Sequence, residues 1–183
     1  MKFLTSMLVF LALALPAFAE PISVEACYEK FSRYSPKDIV ALTEQAKAQI
    51  LEDPKKALEH YNQLNKDSFP DPPHSPVVTI VRCDEMRGEA FFMDNMRAAF
   101  QEKNYLRKFQ DVEGKHPFVE LCAKLKGNIK GAWTLQTHYW IDCDGPLRMG
   151  VLFLKVPGTP YVVQSSLPSK TLSLADYEKS LAP

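Results

Sequence analysis

Residues 117–126 read PFVELCAKLK, and residues 127–167 read GNIKGAWTLQTHYWIDCDGPLRMGVLFLKVPGTPYVVQSSL. The first run places Phe118, Leu121, Cys122 and Leu125 on one side of a short helix. The second divides into three strand-like runs at 132–141, 147–156 and 161–167. The divisions fall at Asp144-Gly145-Pro146 and at Pro157-Gly158-Thr159-Pro160, where Gly and Pro favour turns over regular structure.

Upstream, Val24 to Leu51 has a helical pattern. Ile39, Leu42, Ala46, Ile50 and Leu51 recur at the spacing of one helix face. Ser35 followed by Pro36 is a start signal, with Ser35 capping and Pro36 in the first turn. Residues 22–33 form a separate short helix before it. Asp53-Pro54 restarts the pattern, with Ala57, Leu58, Tyr61 and Leu64 on one face. FPDPPHSP, residues 69–76, is too rich in proline for any regular element. Val77 to Cys83 and Glu89 to Met93 then read as strands joined by a turn over Asp84 to Gly88. Asn95 to Gly114 reads as a loop with short helical turns. Helices, two strands, a loop with a short helix, then three strands predict an α+β domain. Its sheet is five-stranded and antiparallel, with a long N-terminal helix on one face and the 94–126 segment over the other.

Lys2, the apolar run Phe3 to Leu15, and Ala17-Phe18-Ala19 have the layout of a signal peptide cleaved after Ala19. The competing reading is a retained anchor, for which the apolar run is short and Pro16 ill placed. The 22 basic and 22 acidic side chains form no basic block, which excludes nucleic acid as a partner class. Cys27, Cys83, Cys122 and Cys143 are an even set in an exported chain and predict disulfides, with three pairings open. They are too widely spaced for a redox CxxC pair or a metal site, and no metal or other cofactor is expected.

Alternation puts Trp133, Leu135, Thr137 and Tyr139 on one face of their strand, and Thr134, Gln136, His138 and Trp140 on the other. Aromatic rings beside a few polar groups suit either a pocket wall or plain core. A lone strand histidine such as His138 is most often a structural residue. Arg97, Arg107 and Lys108 lie in the covering segment, where an arginine fork would hold a carboxylate. GxSxG, HExxH and a phosphate-binding glycine loop are all missing from the chain, so the residues point away from an enzyme.

Several words, taken in order, resemble the single Cache family of extracytoplasmic PAS-like sensor domains. VVTIVRCD (77–84) is similar to its first strand, and GKHPFVE (114–120) to its helix entry. GAWTLQTHYW (131–140) is similar to its glycine-tryptophan strand, and FLKVPGTPYVVQSS (153–166) to its closing hairpin. The resemblance implies a ligand pocket between the sheet and the 94–126 loop, and it covers roughly Ile39 to Leu167. Three places depart from the family pattern: Phe91-Phe92-Met93-Asp94 in the second strand, Thr137-His138-Tyr139-Trp140 in the third, and Leu152-Phe153-Leu154-Lys155 in the fourth. The pocket is therefore expected to be more apolar than usual, its ligand a small carboxylate or a more apolar molecule.

On this basis Trp133, His138, Tyr139 and Trp140 are the expected wall, and Phe92 and Tyr105 close the top. Arg97, Arg107 or Lys155 would meet an anionic group. The expected layout is a signal peptide (1–19), an N-terminal segment (20–34), a single Cache domain (35–168) and a polar C-terminal tail (169–183). The expected function is a periplasmic small-molecule sensor relaying its ligand state to a membrane signalling or transport protein, with a homodimer as a further assembly. The alternative is an envelope interaction module whose pocket is collapsed on its own aromatics.

Overall fold

The computed structural model describes residues 22–67, 76–91, 98–125, 129–140 and 143–181. The signal segment, most of the proline-rich link, and Phe92 and Arg97 lie outside the described residues.

Three helices open the domain. Helix α1 (Val24–Phe31) is capped by Ser23. Helix α2 (Pro36–Glu52) begins with a reciprocal capping box: the Ser35 hydroxyl accepts from the Asp38 N–H, and the Asp38 carboxylate accepts from the Ser35 N–H. Both unpaired N–H groups are thereby satisfied, with Pro36 in the first turn, where no donor is needed. Asp53 ends α2 and caps α3 (Pro54–Asp67), accepting from the Lys56 N–H at 3.1 Å. Helix α2 buries Ile39, Thr43, Ala46 and Ile50. That spacing is the stripe expected of a helix lying on a sheet.

The sheet runs β1 (Thr79–Arg82), β2 (Arg87–Ala90), β3 (Gly131–Tyr139), β4 (Pro146–Lys155) and β5 (Tyr161–Pro168) in chain order. Its spatial order is β2-β1-β5-β4-β3, antiparallel throughout. The α+β class and the five-stranded antiparallel sheet agree with the sequence reading. The β1–β2 turn is tighter than expected: Met86 takes φ 50°, so Arg87 pairs with Arg82 and β2 begins two residues early. The described residues between β2 and β3 include the short helices α4 (Tyr105–Lys108) and α5 (Pro117–Leu125).

Both sheet faces are covered by apolar side chains. Ala46, Ile50, Ala57 and Tyr61 of α2 and α3 pack on Ile80, Ala90 and Val163. The larger core includes Phe100, Leu106, Phe118 and Leu121 against Met149, Val151 and Phe153. Two disulfides resolve the three pairings. Cys27–Cys143 ties α1 to the β3–β4 connection, and Cys83–Cys122 ties the β1–β2 turn to α5.

Within the segment read as a polar tail, residues 169–181 are described and include a helix. Arg148 donates to the carbonyls of Ser169 and Leu172, and Ser173 and Asp176 form a second capping box at α6 (Leu174–Glu178). Tyr177 is fully buried. Its ring lies 4.8 Å from that of Trp133, and its hydroxyl donates to the Leu167 carbonyl at 2.8 Å. The sequence reading missed this helix because five residues with one apolar anchor show no periodicity.

Candidate functional site

The β3–β4 register sets Gln136 opposite Met149, and the β1–β5 register sets Thr79 opposite Gln164. Directly opposed residues share a sheet face. Gln136, His138, Met149, Gln164 and Thr79 line one wall of a cavity of about 530 Å³. The opposite wall comes from Phe91, Phe100, the 109–112 loop and Phe118 on α5.

The aromatic rings support one another. Phe91 stacks on Phe100 at 4.1 Å, and Phe118 meets the edges of Phe100 and Phe109 at 6.4 and 5.1 Å. Phe109 reaches across to His138 at 5.4 Å. Phe100 keeps its place because position 88 is glycine: a Cβ there would stand 1.5 Å from its ring. Such a cavity is largely apolar with a few directed polar groups, the usual composition of a small-molecule site.

Those polar groups form two sets. On β3, His138 Nε2 lies 2.7 Å from Gln136 Oε1, and Gln136 Nε2 donates to Thr134 Oγ1 at 2.8 Å. Because an amide oxygen only accepts, Nε2 carries the imidazole proton in this arrangement. Burial holds the His138 pKa below its ordinary 6.5, with the Asp111 charge opposing. In the loop, Asp111 is nearly buried, and its Oδ1 accepts from the Glu113 and Lys115 N–H groups at 2.9 Å each. Gln164 Oε1 is buried with no protein partner. Among the described lining residues none is Lys or Arg, and Asp111 is the one formally charged.

Of the residues expected at the site, His138, Tyr139 and Trp140 come together along the cavity, with Tyr139 exposed at its rim. Trp133 stands on the opposite face of β3, against Tyr177, with its indole N–H donating to Ser180. Tyr105 lies outside the cavity lining, its ring edge-on to Phe100 at 6.1 Å. Arg107 bonds Asn104 within its own turn, and Lys155 donates to the Leu125 carbonyl at the end of α5. Both cations are thus held away from the cavity by local acceptors. Phe92 and Arg97 lie outside the described residues. The sequence reading did not single out Phe100, Phe109, Asp111 or Gln164. Gln136 was reachable, since it is two residues from His138 on the same strand face.

No family model and no curated protein sequence matches the chain. Similar solved structures include the periplasmic sensor domain of a chemotaxis protein, at 14% identity and a TM-score of 0.51, over 80% of this chain and 96% of that one. A Cache chemosensory domain whose structure was described for carboxylic acid recognition aligns at 12% identity and a TM-score of 0.47, over 81% of this chain and 100% of the other. The long helix on a 2-1-5-4-3 antiparallel sheet, with loop and short helices closing a cavity over its other face, is a fold this chain shares with the periplasmic sensor domain of that chemotaxis protein.

Proposed function

We propose that this chain is an extracytoplasmic sensor domain of the single Cache type, not an enzyme. It holds a small organic molecule between the sheet and the 98–125 segment and passes its bound state to a membrane signalling or transport partner. The observation that carries this reading is the 530 Å³ cavity, walled by mutually braced aromatic rings and edged by polar groups. A collapsed-pocket interaction module would have those rings filling the space. Two disulfides favour an oxidising compartment, in keeping with the signal-like N-terminus and a periplasmic location after cleavage at Ala19.

The test is a thermal-shift screen of residues 20–183 against carboxylates, amino acids, amines, amides and purines. A ligand at 100 times its Kd adds about 2.7 kcal/mol, which raises Tm by roughly 5–10 °C in a domain of this size. Saturable shifts that vanish on filling the cavity with Ser166→Phe support the reading. Silence across the library, from folded protein stripped of carried-over ligand, overturns it.

A further inference from the structure

We infer that the cavity selects a flat, neutral or cationic ligand that donates N–H hydrogen bonds, such as an aromatic amide, amidine or N-heterocycle, and rejects the matching carboxylate. This rests on the cavity being a ligand site, and it goes further by assigning the chemistry of the occupant.

The described lining carries groups that can donate or accept as needed, among them Gln110, Thr79, Ser165 and Ser166, so the acceptors fixed in place and the charge decide the class. Gln164 Oε1 is an amide oxygen buried without a partner. A buried acceptor left empty is costly, so its natural complement is a donor on the ligand. His138 has its Nε2 proton engaged by Gln136, which leaves Nδ1 as a lone-pair acceptor. Asp111 contributes a carboxylate whose Oδ1 already receives two backbone donors. Its negative charge favours a cation and opposes an anion in a low-dielectric cavity. The described lining holds no Lys or Arg to offset a ligand carboxylate, and desolvating an unpaired carboxylate is prohibitive. The stacked Phe91 and Phe100 and the edge-on Phe109 and Phe118 favour a planar, polarisable body. Aromatic faces also attract cations rather than anions.

Two isosteric series separate the charge states: benzamidine, benzamide and benzoate, and indole-3-carboxamide with indole-3-carboxylate. Binding to residues 20–183 is read by calorimetry at pH 7.5, with the broad thermal-shift library run in parallel. The amide or amidine member is expected to bind at least tenfold more tightly than its carboxylate. Gln164→Leu should remove about tenfold of that preference while the far-ultraviolet spectrum and melting remain those of a folded domain. Equal or tighter binding of the carboxylates would overturn the assigned class but leave the cavity a ligand site. So would library hits confined to anions or aliphatic chains. No binding by any compound in either assay would remove both conclusions.

Discussion

Removing Tyr177 tests whether the C-terminal helix belongs to the folding unit. The side chain is completely buried, packs on Trp133 and bonds the Leu167 carbonyl. Truncating a buried aromatic to alanine costs about 3–5 kcal/mol, and the orphaned carbonyl keeps the figure off the low end. At about 2–4 °C per kcal/mol, Tyr177→Ala should lower Tm by roughly 8–16 °C. The partner position sharpens the test. A Cβ on Gly150 would lie 2.4 Å from two carbons of the Tyr177 ring, so Gly150→Ala overpacks the site at a cost of about 1–3 kcal/mol. In the Tyr177→Ala background the obstruction is gone. The methyl then enters open space and Ala is the better strand residue, so Gly150→Ala should stabilise by about 0.5–1 kcal/mol. The four proteins form a double-mutant cycle, read by urea denaturation with thermal melts as a check. A Tyr177→Ala cost below about 1 kcal/mol, or a Gly150→Ala cost unchanged by it, would refute the claim that α6 is docked through this ring.

Three further outcomes follow from the geometry. His138 has a depressed pKa in the fold, so the unfolded chain takes up the proton more readily; its stabilising contribution is whole above the unfolded value of 6.5 and declines as pH falls through it. Replacing it by His138→Phe should flatten the fall in Tm between pH 7 and 5, and an unchanged slope would show that the ring is not buried neutral. Breaking Cys83–Cys122 or Cys27–Cys143 by paired serine substitution should cost about 4 and about 5 kcal/mol respectively in the chain-entropy account, because they close loops of 39 and 116 residues; melts of the two variants giving the reverse order would show that native contacts, not loop length, dominate. Gly88→Ala should displace Phe100 from the cavity wall, lowering stability by about 1–3 kcal/mol and abolishing any ligand-induced shift in Tm, whereas a retained shift would mean that the ring is not part of the site.

The elements most legible in the sequence are those where a local rule has one outcome. Ser35-Pro36 with Asp38 is a helix start under any tertiary arrangement, and Asp53-Pro54 is another. The three closing strands fall within two residues of the expected bounds, because Asp144-Gly145 and Pro157-Gly158 cannot continue a strand. Two features depended on contacts distant in the chain. The β2 start turns on Met86 accepting a left-handed conformation, which no local preference of methionine predicts. Helix α6 exists because one tyrosine finds the notch over Gly150, a relation between residues on opposite sides of a turn.

The site divides along the same line, and the division explains why Arg107 and Lys155 are missing from its described lining. Strand parity alone separates Trp133 from His138, but it cannot say which face meets helix and which meets cavity. That choice is made by α2 and α6, which cover the Trp133 face with Ala46, Ile50 and Tyr177. The other face is left to a wall of Phe100, Phe109 and Phe118, of which only Phe118 lies in a segment with helical periodicity. Arg107 and Lys155 stand close in sequence to this site, yet each meets a nearer acceptor: the Asn104 side chain for one, the open carbonyl end of α5 for the other. A helix C-terminus is a favourable place for a lysine and requires no buried charge. Among the described residues, the polar lining is one carboxylate (Asp111), one imidazole (His138), three amides (Gln110, Gln136 and Gln164) and several hydroxyls. The same packing that holds Lys155 on α5 thus leaves Asp111 the one formally charged residue of the described lining.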